Sequence, residues 1–166
     1  SLDLATVESI ELTADASEHS LAVLGSRLPA LEELRLSGSR IPSLRELGTR
    51  LSSLRVLWIA RSGLETLDGI AALPRLRELY AAFNRVRSLE PCIGLAALEV
   101  VDLEGNEVTD AREAAHLRDA PALHALVLAA NPCALRDTRA YRRVVRRALP
   151  GLAVLDDEPL DSTQDG

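Results

Sequence analysis

Apolar residues recur along this chain at a spacing that is neither helical nor simply alternating. Leu31, Leu34, Leu36 and Ile41 form a frame with a small polar residue, Ser39, between the last two. The same frame returns at Leu54, Leu57, Ile59, Ser62 and Leu64, then at Leu76, Leu79, Ala81, Asn84 and Val86. It continues at Leu98, Val101, Leu103, Asn106 and Val108, and at Leu123, Leu126, Leu128, Asn131 and Cys133. A degenerate copy opens the chain at Val7, Ile10, Leu12 and Asp15, and a truncated one closes it at Leu152 and Leu155. Starts at 7, 31, 54, 76, 98, 123 and 152 give steps of 24, 23, 22, 22, 25 and 29 residues.

A fixed period of this length is the signature of a solenoid, in which one unit cannot bury its apolar edge alone and neighbours stack to share a core. Each unit should lay down one short strand, turn, and return along the convex side. The residue in the polar slot should point inward and satisfy backbone groups that the irregular turn leaves unpaired. Asn84, Asn106 and Asn131 suit that task, and Ser39, Ser62 and Asp15 should perform it less completely, leaving the N-terminal half looser. On the return path Leu67, Ile70 and Leu73, then Leu89, Cys92 and Leu95, are spaced three apart, which suits 3-10 turns. Cys92 and Cys133 thereby take small buried hydrophobic positions.

Longer steps leave room for helices. Leu21, Leu24 and Leu28 predict one over 17–27. Asp110 and Glu113 read as a capping box for another over 110–118. Asp137 reads as the N-cap of a third that ends before Pro150 and Gly151. The expected fold is an α/β solenoid: a concave parallel sheet of about six to seven short strands, with helices and 3-10 turns on the convex side. Its expected divisions are a degenerate N-terminal capping repeat (1–30), regular repeats (31–130), a C-terminal cap (131–158) and a frayed polar tail (159–166).

Composition sharpens this picture. Of 166 residues 47% are hydrophobic but only 2% aromatic, so the core must be aliphatic. The net charge of −6 argues against direct nucleic-acid binding and fits a protein that stays monomeric. No apolar run is long enough for a membrane span and no signal peptide is visible. Two cysteines make neither a disulfide framework nor a zinc pair, which points to the cytosol. A chain that starts at Ser1 and lacks Met is expected to be a domain excised from a longer protein.

The 22-residue period resembles the short leucine-rich-repeat class that includes a regulatory subunit of protein phosphatase 1 and the spliceosomal A-prime protein. Asn131, Pro132 and Cys133, followed by Tyr141, Val145, Leu149, Pro150, Leu152, Leu155 and Asp156, look like that class's C-terminal cap, in which Tyr141 is buried. The stretch LRELYAAFNRVRSLEPCIGLAALEVVDLEGNEVTD, residues 76–110, is similar to leucine-rich-repeat factors needed to assemble or transport outer dynein arms in cilia and flagella. That resemblance implies a cytoplasmic and ciliary adaptor that holds a dynein-arm or transport-complex component. A phosphatase regulatory subunit and a nuclear ribonucleoprotein scaffold are the alternatives that the wider class implies.

Strand residues that alternate with the frame should face the concave side. Three of the chain's four aromatics, Trp58, Tyr80 and Phe83, fall in that outward set on adjacent repeats. Trp58 and Tyr80 share an offset one repeat apart, so their Cβ atoms should lie about 5 Å apart. Arg35 and Arg61 flank them on one side and Glu78, Asp102 and Glu104 on the other, an apolar anchor with a charged rim suited to a protein partner. The competing reading is that Phe83 tucks toward the turn while Trp58 and Tyr80 merely cover strand edges. Arg139, Arg143 and Arg147, four apart on the last helix, form a second candidate patch for an acidic partner, or a solvated face whose stems cover the last apolar layer.

Nothing reads as catalysis. His19, His116 and His124 are scattered over different repeats, and no phosphate-binding loop or metal motif is present. Asp156, Asp157 and Glu158 read as a solvated acidic cluster. No cofactor, metal or enzymatic activity is expected.

Overall fold

The computed structural model describes residues 3–160. Eight strands form one sheet in chain order. They are β1 (Ser9–Glu11), β2 (Glu33–Arg35), β3 (Val56–Trp58), β4 (Glu78–Tyr80), β5 (Val100–Asp102), β6 (Ala125–Val127), β7 (Val154–Leu155) and β8 (Glu158–Pro159). Pairing is parallel from β1 to β7, while β8 folds back antiparallel on β7. The antiparallel strand goes beyond the six to seven expected. Its two linking residues, Asp156 and Asp157, have φ of 54° and 62°. That is the backbone a two-residue hairpin needs.

Register follows the repeat. Leu34, Leu57, Leu79, Val101 and Leu126 align across neighbouring strands and are all 0% exposed. Side chains in a strand alternate between faces, so a shift of one residue would expose this whole row; the pattern therefore fixes the pairing. Leu36, Ile59, Ala81, Leu103 and Leu128 form a second inward row, equally buried. One continuous aliphatic core runs the length of the solenoid.

The convex side carries 3-10 turns where the three-residue spacing placed them, at Ile70–Ala72 and Glu90–Cys92, with Cys92 buried. Two helix expectations need correction. Over 17–27 only one turn forms, α1 (Leu24–Arg27). Over 110–118 the chain makes a 3-10 helix, Ala111–Leu117. Asp110 does accept from the Arg112 N–H, but Glu113 turns to the previous repeat, where it accepts from Ser88 Oγ and Leu89 N–H. No reciprocal capping box forms. After a short α2 (Pro132–Leu135), α3 (Thr138–Ala148) closes the convex side, capped by the Asp137 carboxylate on the Ala140 N–H.

The C-terminal cap is tied to the sheet by Asp156. Its Oδ1 accepts from the Leu128 and Ala129 N–H groups, and its Oδ2 accepts from the hydroxyl of buried Tyr141. Asp156 is thus a structural clamp and not part of a solvated cluster; burial beside this carboxylate drives the Tyr141 phenol far above its ordinary pKa. Arg142 completes the clamp, donating to the carbonyls of Leu155 and Pro159. Pro159 lies in β8 and Leu160 donates to Ala153, so the chain is still paired where the frayed tail was expected to begin. The rest of that expected tail, 161–166, lies outside the described residues. Cys133, expected to be buried, is only half-buried because α2 starts there and lifts it from the core.

Candidate functional site

The turn after each strand sets up the site. Asn84 Oδ1 accepts from the Ser62 and Leu64 N–H groups at 2.9 and 3.0 Å, and its Nδ2 donates to the carbonyls of Ile59 and Ala81. Asn106 and Asn131 follow one and two repeats on with a single accepted N–H each, from Val86 and Val108, while their Nδ2 groups donate to the carbonyls of Ala81 and Leu103 and of Leu103 and Leu128. Ser62 has one oxygen to offer: it accepts from Ser39 N–H and faces the Leu36 and Ala60 carbonyls. Asp15, expected in the same inward slot, instead turns outward to accept from Ser17. Ser39 Oγ meets Ala14 N–H there.

The residue just before each polar slot is held in left-handed backbone. The set is Gly38, Arg61, Phe83, Gly105 and Ala130, with φ of 79°, 52°, 56°, 65° and 58°. Glycine adopts this conformation freely, whereas an L side chain costs about 1–2 kcal/mol there. Two adjacent repeats therefore carry large side chains where glycine would be more stable. The signal was present in the sequence, since Gly38 and Gly105 each precede a polar slot, but it becomes legible only once the backbone is known.

Those two side chains are part of the concave face. Trp58 and Tyr80 face each other in register across β3 and β4, with ring centroids 5.6 Å apart and planes 15° from parallel. The Arg35 guanidinium lies over the Trp58 ring at 3.8 Å, and the Arg61 guanidinium over Phe83 at 4.3 Å. The arginines thus stack on the rings and do not stand beside them as a rim. Phe83 is 42% exposed and does not tuck into the turn. Its ring lies across Gly105, where an added Cβ would come within 2.5 Å of Phe83 Cδ1.

The acidic residues divide. Glu78 is engaged, its Oε1 accepting from the Tyr80 hydroxyl at 2.9 Å. Burial, then that bond, pushes the phenol up to about 12. Asp102 takes the Glu104 N–H on Oδ1. Burial raises the Asp102 carboxyl above the usual carboxylate range, and the charges of Asp157 and Asp156 add to it. Glu104 lies beside Asp102 at the turn. The eight residues singled out on this face do come together, as two stacked cation–aromatic pairs running into a carboxylate group.

The second patch is on the opposite side of the molecule. Arg139, Arg143 and Arg147 are exposed on one face of α3 and make no ion pair among the described residues. Leu135 next to them, 71% exposed, was missed because its place in α2 is set by the cap and not by the repeat. Among the described residues no cluster of His, Cys, Asp and Glu could hold a metal ion, and no helix is long and apolar enough to cross a membrane. Burial pushes the Cys92 thiol up to about 12 and that of Cys133 to about 11, which leaves both unreactive at neutral pH.

Comparison with known proteins places these features. A family profile described as Leucine-rich repeat matches residues 10–163. Leucine-rich repeat-containing protein 56 of Homo sapiens is 44% identical over 171 residues, which cover 97% of this chain and 32% of the relative. Cilia- and flagella-associated protein 410 of Mus musculus is 32% identical over 110 residues, 66% of this chain and 44% of that protein. The chain thus spans about a third of the length of the first of these curated relatives. Among solved structures, a chain of the Drosophila melanogaster SNF/U2A' complex superposes with a TM-score of 0.65 at 26% identity, covering 76% of this chain and 73% of that one.

Proposed function

Since the chain belongs to the leucine-rich-repeat family, we propose that it is a non-catalytic protein-interaction module that grips its partner with the concave face around Trp58 and Tyr80. The observation that carries this is the placement of three of four aromatics in one outward cluster on an otherwise aliphatic chain. Stacked rings lose little entropy when covered and offer a large apolar area, which is why Trp and Tyr recur as binding hot spots. The expected biological setting is the cytoplasm and the cilium or flagellum, as a monomeric adaptor in outer dynein arm assembly or intraflagellar transport. Support for the ciliary setting is the likeness to a cilia- and flagella-associated protein and the resemblance of residues 76–110. A nuclear ribonucleoprotein scaffold is the second reading, favoured by the superposition on a chain of the SNF/U2A' complex. The arginine face of α3 is a secondary docking patch for an acidic partner.

The test is capture from ciliated-cell extract with the isolated domain beside a Trp58→Ala, Tyr80→Ala double variant. Dynein-arm or transport components that the wild type retains and the double variant loses would support both partner class and site. Capture that the double variant keeps moves the site away from the concave face. Spliceosomal proteins in place of ciliary ones would replace the first reading with the second.

A further inference from the structure

From β2–β3 to β5 the charged groups flanking the aromatic cluster change sign across the sheet, with Glu11 of β1 and Glu33 of β2 as further carboxylates next to Arg35. Glu11, Arg35, Trp58, Tyr80, Asp102 and Val127 occupy one registered row from β1 to β6. On the β2–β3 side stand two guanidiniums, Arg35 and Arg61, each flattened on a ring and joined to no carboxylate among the described residues. On the β5 side stand Asp102 and Glu104, with Asp157 nearby and no ion pair to either among the described residues. A guanidinium stacked on a ring keeps its N–H edges free and has already lost most of its rotamer freedom, so a carboxylate can bind it at reduced entropic cost. Carboxylates crowded without a counter-ion favour a cation in the same way.

Backbone strain adds an independent sign. Arg61 and Phe83 occupy left-handed positions that glycine fills at Gly38 and Gly105. Non-glycine residues held in such positions cluster at ligand-binding sites. Phe83 takes no part in the aliphatic core: the residue is 42% exposed and its ring rests on the surface of Gly105 and under Arg61.

Resting on the concave-face reading above, we propose that the partner is an amphipathic segment of mixed charge. Its acidic side chains lie over Arg35 and Arg61, its aliphatic side chains over Trp58 and Tyr80, and its basic side chains over Asp102 and Glu104. Arg35 and Asp102 are three strands apart, which is roughly 14 Å at the usual strand spacing. A helical segment covers that distance in about ten residues. Segments acidic at both ends or basic at both ends meet a like charge at one pole.

Trp58 is the chain's single tryptophan, so its fluorescence reports occupancy of the site directly. The probes are three stapled helical peptides of equal length with an aliphatic centre: one acidic at the first turn and basic at the last, one acidic at both, one basic at both. At low salt the mixed peptide is expected to bind at least tenfold more tightly than either other. An Arg35→Glu, Arg61→Glu variant should prefer the doubly basic peptide, and an Asp102→Arg, Glu104→Arg variant the doubly acidic one. Thermal melts confirm that each variant folds. A ranking that the reversals leave unchanged, three equal affinities, or no Trp58 response to any probe overturns the proposal. Extract capture that the Trp58→Ala, Tyr80→Ala variant loses but both charge reversals retain would also overturn it, while leaving the aromatic site intact.

Discussion

Phe83 and Asn84 are neighbours in one turn and obey opposite rules. Asn84 points inward, is 6% exposed, and has a partner for every polar atom. Phe83 points outward, in left-handed backbone, with much of its ring in solvent. The same contrast recurs along the sheet. Among the described residues no buried side-chain nitrogen or oxygen lacks a hydrogen bond, yet on the concave face Arg35 and Arg61 remain without an acid and Asp102 without a base. The inner face of each repeat is optimised for the solenoid itself, whereas the outer face retains features that only a partner would reward.

Breaking the inner side should have the largest effect. Asn84→Ala strands the buried Ser62 and Leu64 N–H groups and the Ile59 carbonyl at once, while the Ala81 carbonyl keeps its bond from Asn106 Nδ2. Each lost partner leaves a desolvated group, so stability should fall by about 3 kcal/mol, read from chemical unfolding. Ser62→Ala removes fewer bonds and should cost about half as much. Equal losses at the two positions would mean that the asparagine ladder is not what holds the turns.

The junction between the two sides is Gly105. Gly105→Ala places a Cβ in left-handed backbone and against the Phe83 ring, and is expected to cost about 2 kcal/mol. With Phe83→Gly already present the clash is gone and only the backbone cost, about 1 kcal/mol, should remain. A double-mutant cycle measures the difference as the coupling between a structural turn and the candidate site. Additive effects would show that the ring does not rest on Gly105.

How much of this was legible in the sequence follows the same division. The frame of Leu57, Leu79 and Val101, the polar slots and the 3-10 turns at Ile70 and Cys92 could be read directly, because each repeats and each answers to core packing. The concave cluster was legible as a set of positions, since strand alternation points Trp58 and Tyr80 the same way. Its geometry was not: stacking of Arg35 on Trp58 depends on rotamers, and the strain at Arg61 and Phe83 on a φ that no residue type announces. The ends failed for another reason. Leu21, Leu24 and Leu28 have helical spacing, but only one turn of helix forms, at Leu24–Arg27, and Leu21 and Leu28 enter the core from either side of it. Asp156 looked like one of three exposed acids, and only the fold brings Tyr141 and the Leu128 and Ala129 amides to it.

If the outer face is held at the expense of stability, removing its features should stabilise the chain. Arg61→Gly and Phe83→Gly each relieve left-handed strain of about 1–2 kcal/mol and forfeit an exposed cation–aromatic contact of about 0.5–1 kcal/mol. Each is expected to raise stability by about 0.5 kcal/mol while weakening partner capture. A pair of variants that unfold more easily than wild type would sink the contrast, since Phe83 would then be a structural residue.

The smallest effect belongs to Asp102, and pH separates it from the others. Burial raises its carboxyl above the ordinary range, with the nearby charges of Asp157 and Asp156 in support. The folded state therefore holds this proton more tightly than the unfolded chain. Stability from this group is present at pH values below the ordinary carboxylate pKa and is lost as pH rises through the raised folded value. Asp102→Asn keeps an oxygen for the Glu104 N–H and removes the charge. Its gain in stability should be greatest at neutral pH and vanish in acid, so the wild-type and variant curves of stability against pH converge as pH falls. Curves that stay parallel would mean that the Asp102 charge is already compensated, and the concave face would then lack the unpaired carboxylate that a basic side chain would need.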